Sequence, residues 1–263
     1  QFKKAYPLAK VLFPNEKDFE KSNRNRLLNP LATNDWDAII LSHDQFSRIN
    51  QPVEIQISLM QELTTVLKDE MQDVGDKQEK KRLETRLYKY EQKIAALMDT
   101  PKDQGVLDFS QLGIDFLMVD ESQEFKNLEF STTKKNVRGL GNPLGSKKAF
   151  NMLVACRYLQ NMYKADKGII FSSGTPISNT MAELYLLFKY LRPNKMKETG
   201  ITSFDRLAAN FANDYSDLQY YMGTFKVFHR FREFANLPEL LTIYREIADV
   251  RNNNNLTLDK PKA

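Results

Sequence analysis

Cysteine is nearly absent: Cys156 stands alone in 263 residues. One thiol excludes an internal disulfide framework and a cysteine-rich zinc site. It lies in FNMLVACRYL, residues 150–159, where a small buried hydrophobe is the expected role rather than a nucleophile. Histidine is almost as scarce. With only His43 and His229, imidazole-based metal clusters and a hydrolase triad lack material. No run of about 18 uncharged apolar residues appears, so no transmembrane helix is expected. The N-terminus, QFKKAYPLAK, has neither the apolar core of a signal peptide nor an initiator methionine. The chain is therefore expected to begin inside a longer polypeptide or to have lost residues, and to be cytoplasmic. A phosphate-binding loop of the form G-x-x-x-x-G-K-[ST] is missing as well. The nearest string, LGSKKAF at 144–150, has the wrong spacing and no preceding strand.

What is present describes a globular chain. Hydrophobic residues make up 41% and charged residues 27%, too apolar for disorder and long enough for one large domain or one domain with an insertion. The formal charge of +4 is weak support for a nucleic-acid partner, since a solvated surface explains it equally well.

Along the chain, a short helical start leads to AKVLF (9–13), which reads as a strand after the Pro7 turn. Residues 15–33 alternate charge and leucine and read as helix. WDAIILSH (36–43) has a short unalternating apolar core, the pattern of a strand buried on both faces of a parallel sheet. Residues 52–99 then change character. Leu83, Leu87, Tyr90, Ile94 and Leu97 step by four, three, four and three, a heptad seam in the manner of a coiled coil, and Met60, Leu63 and Leu67 form an earlier stripe. Gly75 marks the tip of an antiparallel helical hairpin. Such an arm either touches DNA or a partner, or packs on its host as a solvated hairpin.

After Pro101 the α/β pattern resumes. DFLMVDES (115–122) is an apolar strand ending in acids, and the lysine-rich TTKKNVRGLGNPLGSKKAF (132–150) reads as a loop. A helix near 146–163, the strand GIIFSS (168–173) and a helix from about Ser178 to Leu191 follow. Residues 201–250 read as mostly helical, and the end, RNNNNLTLDKPKA, as a tail. Strand–helix–strand repetition predicts an α/β fold with a parallel sheet flanked by helices.

Ligands of open parallel sheets gather at the carboxyl ends of the strands. VDESQ (119–123) places adjacent carboxylates there. Magnesium prefers few protein carboxylates, several waters and phosphate oxygens, so Asp120 suits the metal and Glu121 suits a water attacking a terminal phosphate. An acidic pair is also how many strands simply meet solvent. SSGTPISN (172–179) allows a sharp turn, with Ser178 or Thr175 able to cap the next helix, which is the structural alternative.

VDESQEFKNL followed by SSGTPISNTMAELYLLFKYLRP resembles the motor of Swi/Snf-type superfamily-two helicases, with their DEAH-like second motif and T-G-T-P third motif. It is closer still to the helicase region of large proteins that join a helicase to a DNA adenine methylase. The likeness covers roughly residues 1–215. It implies a partial RecA-like (P-loop NTPase) lobe over 1–51 and 101–200, an inserted hairpin over 52–100, and a helical extension with its tail over 201–263. It implies ATP and magnesium as cofactors of the intact protein, neither held tightly by this chain alone, with DNA as partner. Asp120 and Glu121 take the magnesium and water-activating places. Gln123 takes the fourth place of the acidic motif, where histidine or aspartate is common, and Ser122 replaces alanine. Ser173, Gly174 and Thr175 match the third motif, which couples nucleotide state to DNA movement. Lys126 and Asn127 match the basic-Lys-Asn element, and Ser42 falls where such motors touch the phosphodiester backbone.

The absent phosphate loop, and the lack of an arginine-rich element after residue 215, imply that a Walker A segment and a second lobe lie elsewhere and that hydrolysis by this chain alone is negligible. Two other readings stand beside the motor fragment. One is a non-catalytic DNA-binding or scaffolding module using Lys134, Lys135, Arg138, Lys147 and Lys148 as phosphate contacts, although an ordinary exposed basic loop explains these as well. The other is a partner-binding domain that works through its helical arm.

Overall fold

The computed structural model describes residues 2–19, 33–99, 108–133, 145–177 and 180–251. Its regular elements begin with α1 (Phe2–Ala5), β1 (Val11–Leu12), β2 (Ala38–Ile39) and α2 (His43–Ser47). The hairpin helices α3 (Val53–Asp73) and α4 (Lys77–Met98) follow, then β3 (Leu117–Val119), α5 (Lys147–Tyr163), β4 (Ile169–Phe171), α6 (Met181–Leu191) and α7 (Pro193–Glu198). The chain continues through α8 (Phe204–Phe211), β5 (Ala212–Tyr221), β6 (Thr224–Phe234) and α9 (Leu237–Arg245). The expected helix over 15–33 is seen only as a 3-10 turn at Glu16–Phe19, and most of the rest of that stretch lies outside the described residues.

The apolar runs form strands where expected, and they pair in parallel. β1 lies beside β2, with Val11 opposite Ala38; β3 lies beside β4, with Met118 opposite Ile170. The pairs remain separate two-stranded sheets among the described residues. Burial on both faces, expected for these runs, does not hold. Leu117, Val119, Ile169 and Phe171 face the core formed with α5 and α6, while Met118 is 71% and Ile170 48% exposed. Successive strand residues point to opposite faces, so an apolar run says nothing about whether both faces find a cover.

The hairpin is as expected in position. Leu67 and Leu83 are almost fully buried between its arms, Met60 and Tyr90 extend the seam, and Leu63, Ile94 and Leu97 pack at its margin. Asp76 caps α4, accepting from the Gln78 amide at 2.9 Å, and Gly75 sits in the three-residue link.

The region after 201 departs from the helical extension expected of it. α8 gives way to a long antiparallel β-hairpin with Leu218 opposite Val227 and Tyr220 opposite Phe225, before α9 resumes. Met222 and Gly223 both have positive φ (47° and 83°), the geometry of a tight turn whose twist matches its strands. Alternation in the sequence is confined to Leu218 with Tyr220 and Phe225 with Val227, while phenylalanines at 225, 228, 231 and 234 step by three, a spacing close to that of a helix.

An irregular strap, residues 129–133, runs from the acidic motif toward the basic loop, held by side chains rather than by a ladder. Arg86 donates to the Phe130 carbonyl and Arg82 to that of Thr132, both at 3.1 Å. Half-buried Lys189 donates to the Glu129 carbonyl at 3.2 Å; desolvation, with the Arg157 charge nearby, lowers its pKa to about 8. Asp205 accepts from both Thr132 and Thr133 hydroxyls and from the Thr133 amide. Gly145 passes so close that a Cβ there would meet the Glu129 backbone nitrogen at 2.5 Å, and its φ of 69° also favours glycine.

Glu70 of α3 accepts from the Ser131 hydroxyl at 2.5 Å. Burial raises its carboxyl from 4.5 to about 6; the Asp205 charge adds to the rise, and the Ser131 hydrogen bond, Arg86 and Arg82 oppose it. The folded value exceeds the unfolded one, so this group's stabilisation is whole below pH 4.5 and is lost as pH rises through about 6. Glu70→Gln should therefore stabilise the chain near neutral pH by up to about 2 kcal/mol, and by almost nothing near the unfolded value. Denaturant midpoints of both proteins across that range test this. A gain independent of pH would show that Glu70 is not the titrating group.

Cys156 is buried, and burial pushes its thiol up to about 12, as its apolar surroundings in the sequence suggested.

Candidate functional site

The acidic motif and the small-residue turn meet because β3 and β4 run side by side beyond their last paired residues. The Ser172 amide donates to the Val119 carbonyl at 2.8 Å, and the Ser122 amide to the Ser172 carbonyl at 2.9 Å. At the end of β3, Glu121 turns left-handed (φ 49°, ψ 47°) and starts the 3-10 turn Ser122–Phe125. That reversal directs Gln123 back across the strand ends.

A chain of hydrogen bonds then joins the two motifs. The Thr175 amide donates to the Ser173 hydroxyl at 3.1 Å, and that hydroxyl donates to Gln123 Oε1 at 2.6 Å. Gln123 Nε2 donates to Glu121 Oε2 at 2.5 Å, and the Glu121 amide donates to Asp120 Oδ1 at 3.0 Å. A carboxylate can only accept, which places the amide nitrogen of Gln123 toward Glu121 and leaves its oxygen for Ser173. Glutamine is suited to this link, since one planar group offers a donor and an acceptor a short distance apart.

Asp120 and Glu121 are exposed at the strand end. Behind the relay lies a water-sized cleft of about 30 Å³, lined by Gln123, Lys126, Pro176, Glu183 and Tyr190 among others. The acidic pair therefore faces outward rather than into this cleft. Among the described residues no cluster of three or more histidine, cysteine or acidic groups could cage a metal. One or two hard oxygens at an open edge suit magnesium, which keeps water and takes phosphate oxygens as further ligands. The donor set fits that ion. Bound there through Asp120, magnesium would supply charge neutralisation for phosphate oxygens.

Residues 1–252 match a family model described as a probable helicase domain. The chain belongs to that family. No curated protein and no solved structure matches it.

The other expected site residues of this helicase domain are placed unevenly. Ser42 is the N-cap of α2: its hydroxyl accepts from the Gln45 amide, and Gln45 Oε1 accepts from the Ser42 amide, a reciprocal capping box. Lys126 sits 3.6 Å from Glu183 of α6, and the Asn127 carbonyl accepts from the Ser146 amide. Lys148 lies 5.2 Å from the centre of the Phe125 ring and 3.5 Å from Glu124. Lys147 begins α5, while Lys134, Lys135 and Arg138 lie outside the described residues. Gly174 has open space where a Cβ would stand, so the structure gives no steric reason for glycine there. The α6 cap is Thr180, which accepts from the Glu183 amide at 3.2 Å, in place of the expected Ser178 or Thr175. Ser178 and Asn179 lie outside the described residues.

One residue at this site carried no functional expectation. His43 Nε2 lies 2.9 Å from the Asp120 carbonyl oxygen, 77 residues away. A sequence count of histidines records its rarity but not its destination.

No helix among the described residues is long and apolar enough to cross a membrane.

Proposed function

We propose that this helicase domain is part of an ATP-dependent DNA translocase of the Swi/Snf superfamily-two type, built on a RecA-like lobe. Asp120 takes magnesium, Glu121 activates the attacking water, and Ser173 with Thr175 responds to the state of the nucleotide. The observation that carries this reading is the relay Thr175–Ser173–Gln123–Glu121, which links the third motif to the acidic pair through side chains of suitable polarity. A change at the Ser173 turn would reach the water-activating carboxylate through two hydrogen bonds. The phosphate loop comes from outside residues 1–263, because no G-x-x-x-x-G-K-[ST] occurs within them.

Phosphate release from ATP, with and without duplex DNA, tests the proposal. The whole product of the gene should hydrolyse ATP faster when DNA is added, and residues 1–263 alone should release negligible phosphate. A whole product that ignores DNA, or releases nothing, would overturn the motor. Turnover by residues 1–263 alone would overturn the assignment of the phosphate loop to another segment.

A further inference from the structure

We infer that His43 is a positioning residue for the acidic pair, holding the Asp120–Glu121 peptide in the orientation that sets both carboxylates. This rests on the reading of Asp120 and Glu121 as the metal-handling and water-activating groups.

A peptide unit is a rigid plane, with its C=O and N–H pointing in opposite directions. In the unit between Asp120 and Glu121 both ends are engaged. The carbonyl accepts from His43 Nε2 at 2.9 Å, and the N–H donates to Asp120 Oδ1 at 3.0 Å. Rotating this plane would break both bonds together. It would also change the backbone angles of Glu121, whose side chain meets Gln123.

Those angles are unfavourable in isolation. Glutamate at φ 49° and ψ 47° is left-handed, a conformation in which the Cβ of a non-glycine residue crowds the following carbonyl oxygen. The net contribution of one hydrogen bond is comparable in size to that cost. The contact from His43 is therefore large enough to decide which way the peptide faces.

His43 is itself well anchored. It is the first residue of α2, whose start is set by the Ser42–Gln45 capping box. Gln45 Nε2 donates to the Pro14 carbonyl at 3.0 Å, tying α2 to the chain just after β1. The imidazole also stands edge-on to buried Phe125, with ring centres 4.9 Å apart. Phe125 belongs to the same 3-10 turn that carries Gln123, so the ring braces that turn while its nitrogen holds the peptide. A carbonyl only accepts, so Nε2 must carry hydrogen, as it does in the Nε2–H tautomer of the neutral ring and in the protonated ring.

The test separates packing from hydrogen bonding. His43→Phe keeps a ring against Phe125 and removes the donor, whereas His43→Gln supplies a donor without the ring. Amide exchange at Glu121, followed by NMR in residues 1–263, is the metal-free readout. Exchange there should rise about three- to tenfold in His43→Phe and return toward the native rate in His43→Gln. Paramagnetic broadening of the Asp120 and Glu121 amides by Mn²⁺ should weaken in His43→Phe and be restored in His43→Gln. Unchanged exchange and broadening in a folded His43→Phe protein would overturn the inference. Should that variant fail to fold, the native protein still decides: an imidazole protonated at Nε2 upholds the contact, and one bearing hydrogen only at Nδ1 refutes it. Broadening untouched by Asp120→Asn would instead overturn the metal reading, with the exchange result still judging His43.

Discussion

Glu121→Gln is expected to lower DNA-stimulated ATP hydrolysis by about 10²–10⁴-fold, the usual contribution of a positioned general base, with little change in nucleotide binding. The substitution is nearly isosteric. The left-handed turn at 121 and the Gln123 contact at 2.5 Å can both persist, because an amide oxygen still accepts from Gln123 Nε2. What disappears is the charge that, in the proposed role, draws a proton from water. Asp120, whose Oδ1 is held by the Glu121 amide, keeps its own charge and its place. Steady-state kinetics on the whole product of the gene should show kcat falling with KM for ATP almost unchanged. A loss of less than about tenfold would remove Glu121 from the water-activating role.

Phe204→Ala is expected to cost about 3–5 kcal/mol in unfolding free energy, the range for deleting a fully buried aromatic side chain. Phe204 is 0% exposed at the start of α8, with its ring centre 5.3 Å from that of Phe130 and 6.0 Å from that of Tyr185. Phe130 belongs to the strap and Tyr185 to α6, so the cavity would open where three parts of the chain meet. Collapse into it is opposed from two sides. The Tyr185 hydroxyl is held by the Thr202 carbonyl, and the adjacent Asp205 carboxylate holds Thr132 and Thr133. Urea unfolding followed by circular dichroism measures the cost. A loss under about 1 kcal/mol would mean that the site relaxes freely and that the strap is not anchored at this cluster.

Phe204→Ala probes contacts between distant parts of the chain, and these were the contacts least visible beforehand. Gln123 and Ser173 lie 50 residues apart, His43 and Asp120 77, and Thr132 and Asp205 73. The residue types at positions 120, 121, 123 and 173 pointed to chemistry at two strand ends. Nothing in their spacing showed that Gln123 would turn its amide between Glu121 and Ser173. Ser42 is the opposite case: its neighbour Gln45 spells out a capping box three residues ahead, a local signal that stands beside the expected backbone-contact role.

Local pattern alone determined the two hairpin helices and their shared seam, the four short apolar strands, α5 and α6, and the inert character of Cys156. These follow from periodicity and composition over a few residues, where backbone geometry dictates which side chains share a face. The β-hairpin at 212–234 was not among them, because its phenylalanines at 225, 228, 231 and 234 step by three, a spacing that reads as helix. Tertiary structure alone decided the rest. It left Met118 and Ile170 bare on the outer face of the sheet, raised the carboxyl of Glu70 by burial, and brought His43 to the Asp120 carbonyl. Each of these depends on what a residue meets across the fold, and the folded chain settles that by packing whole elements against one another.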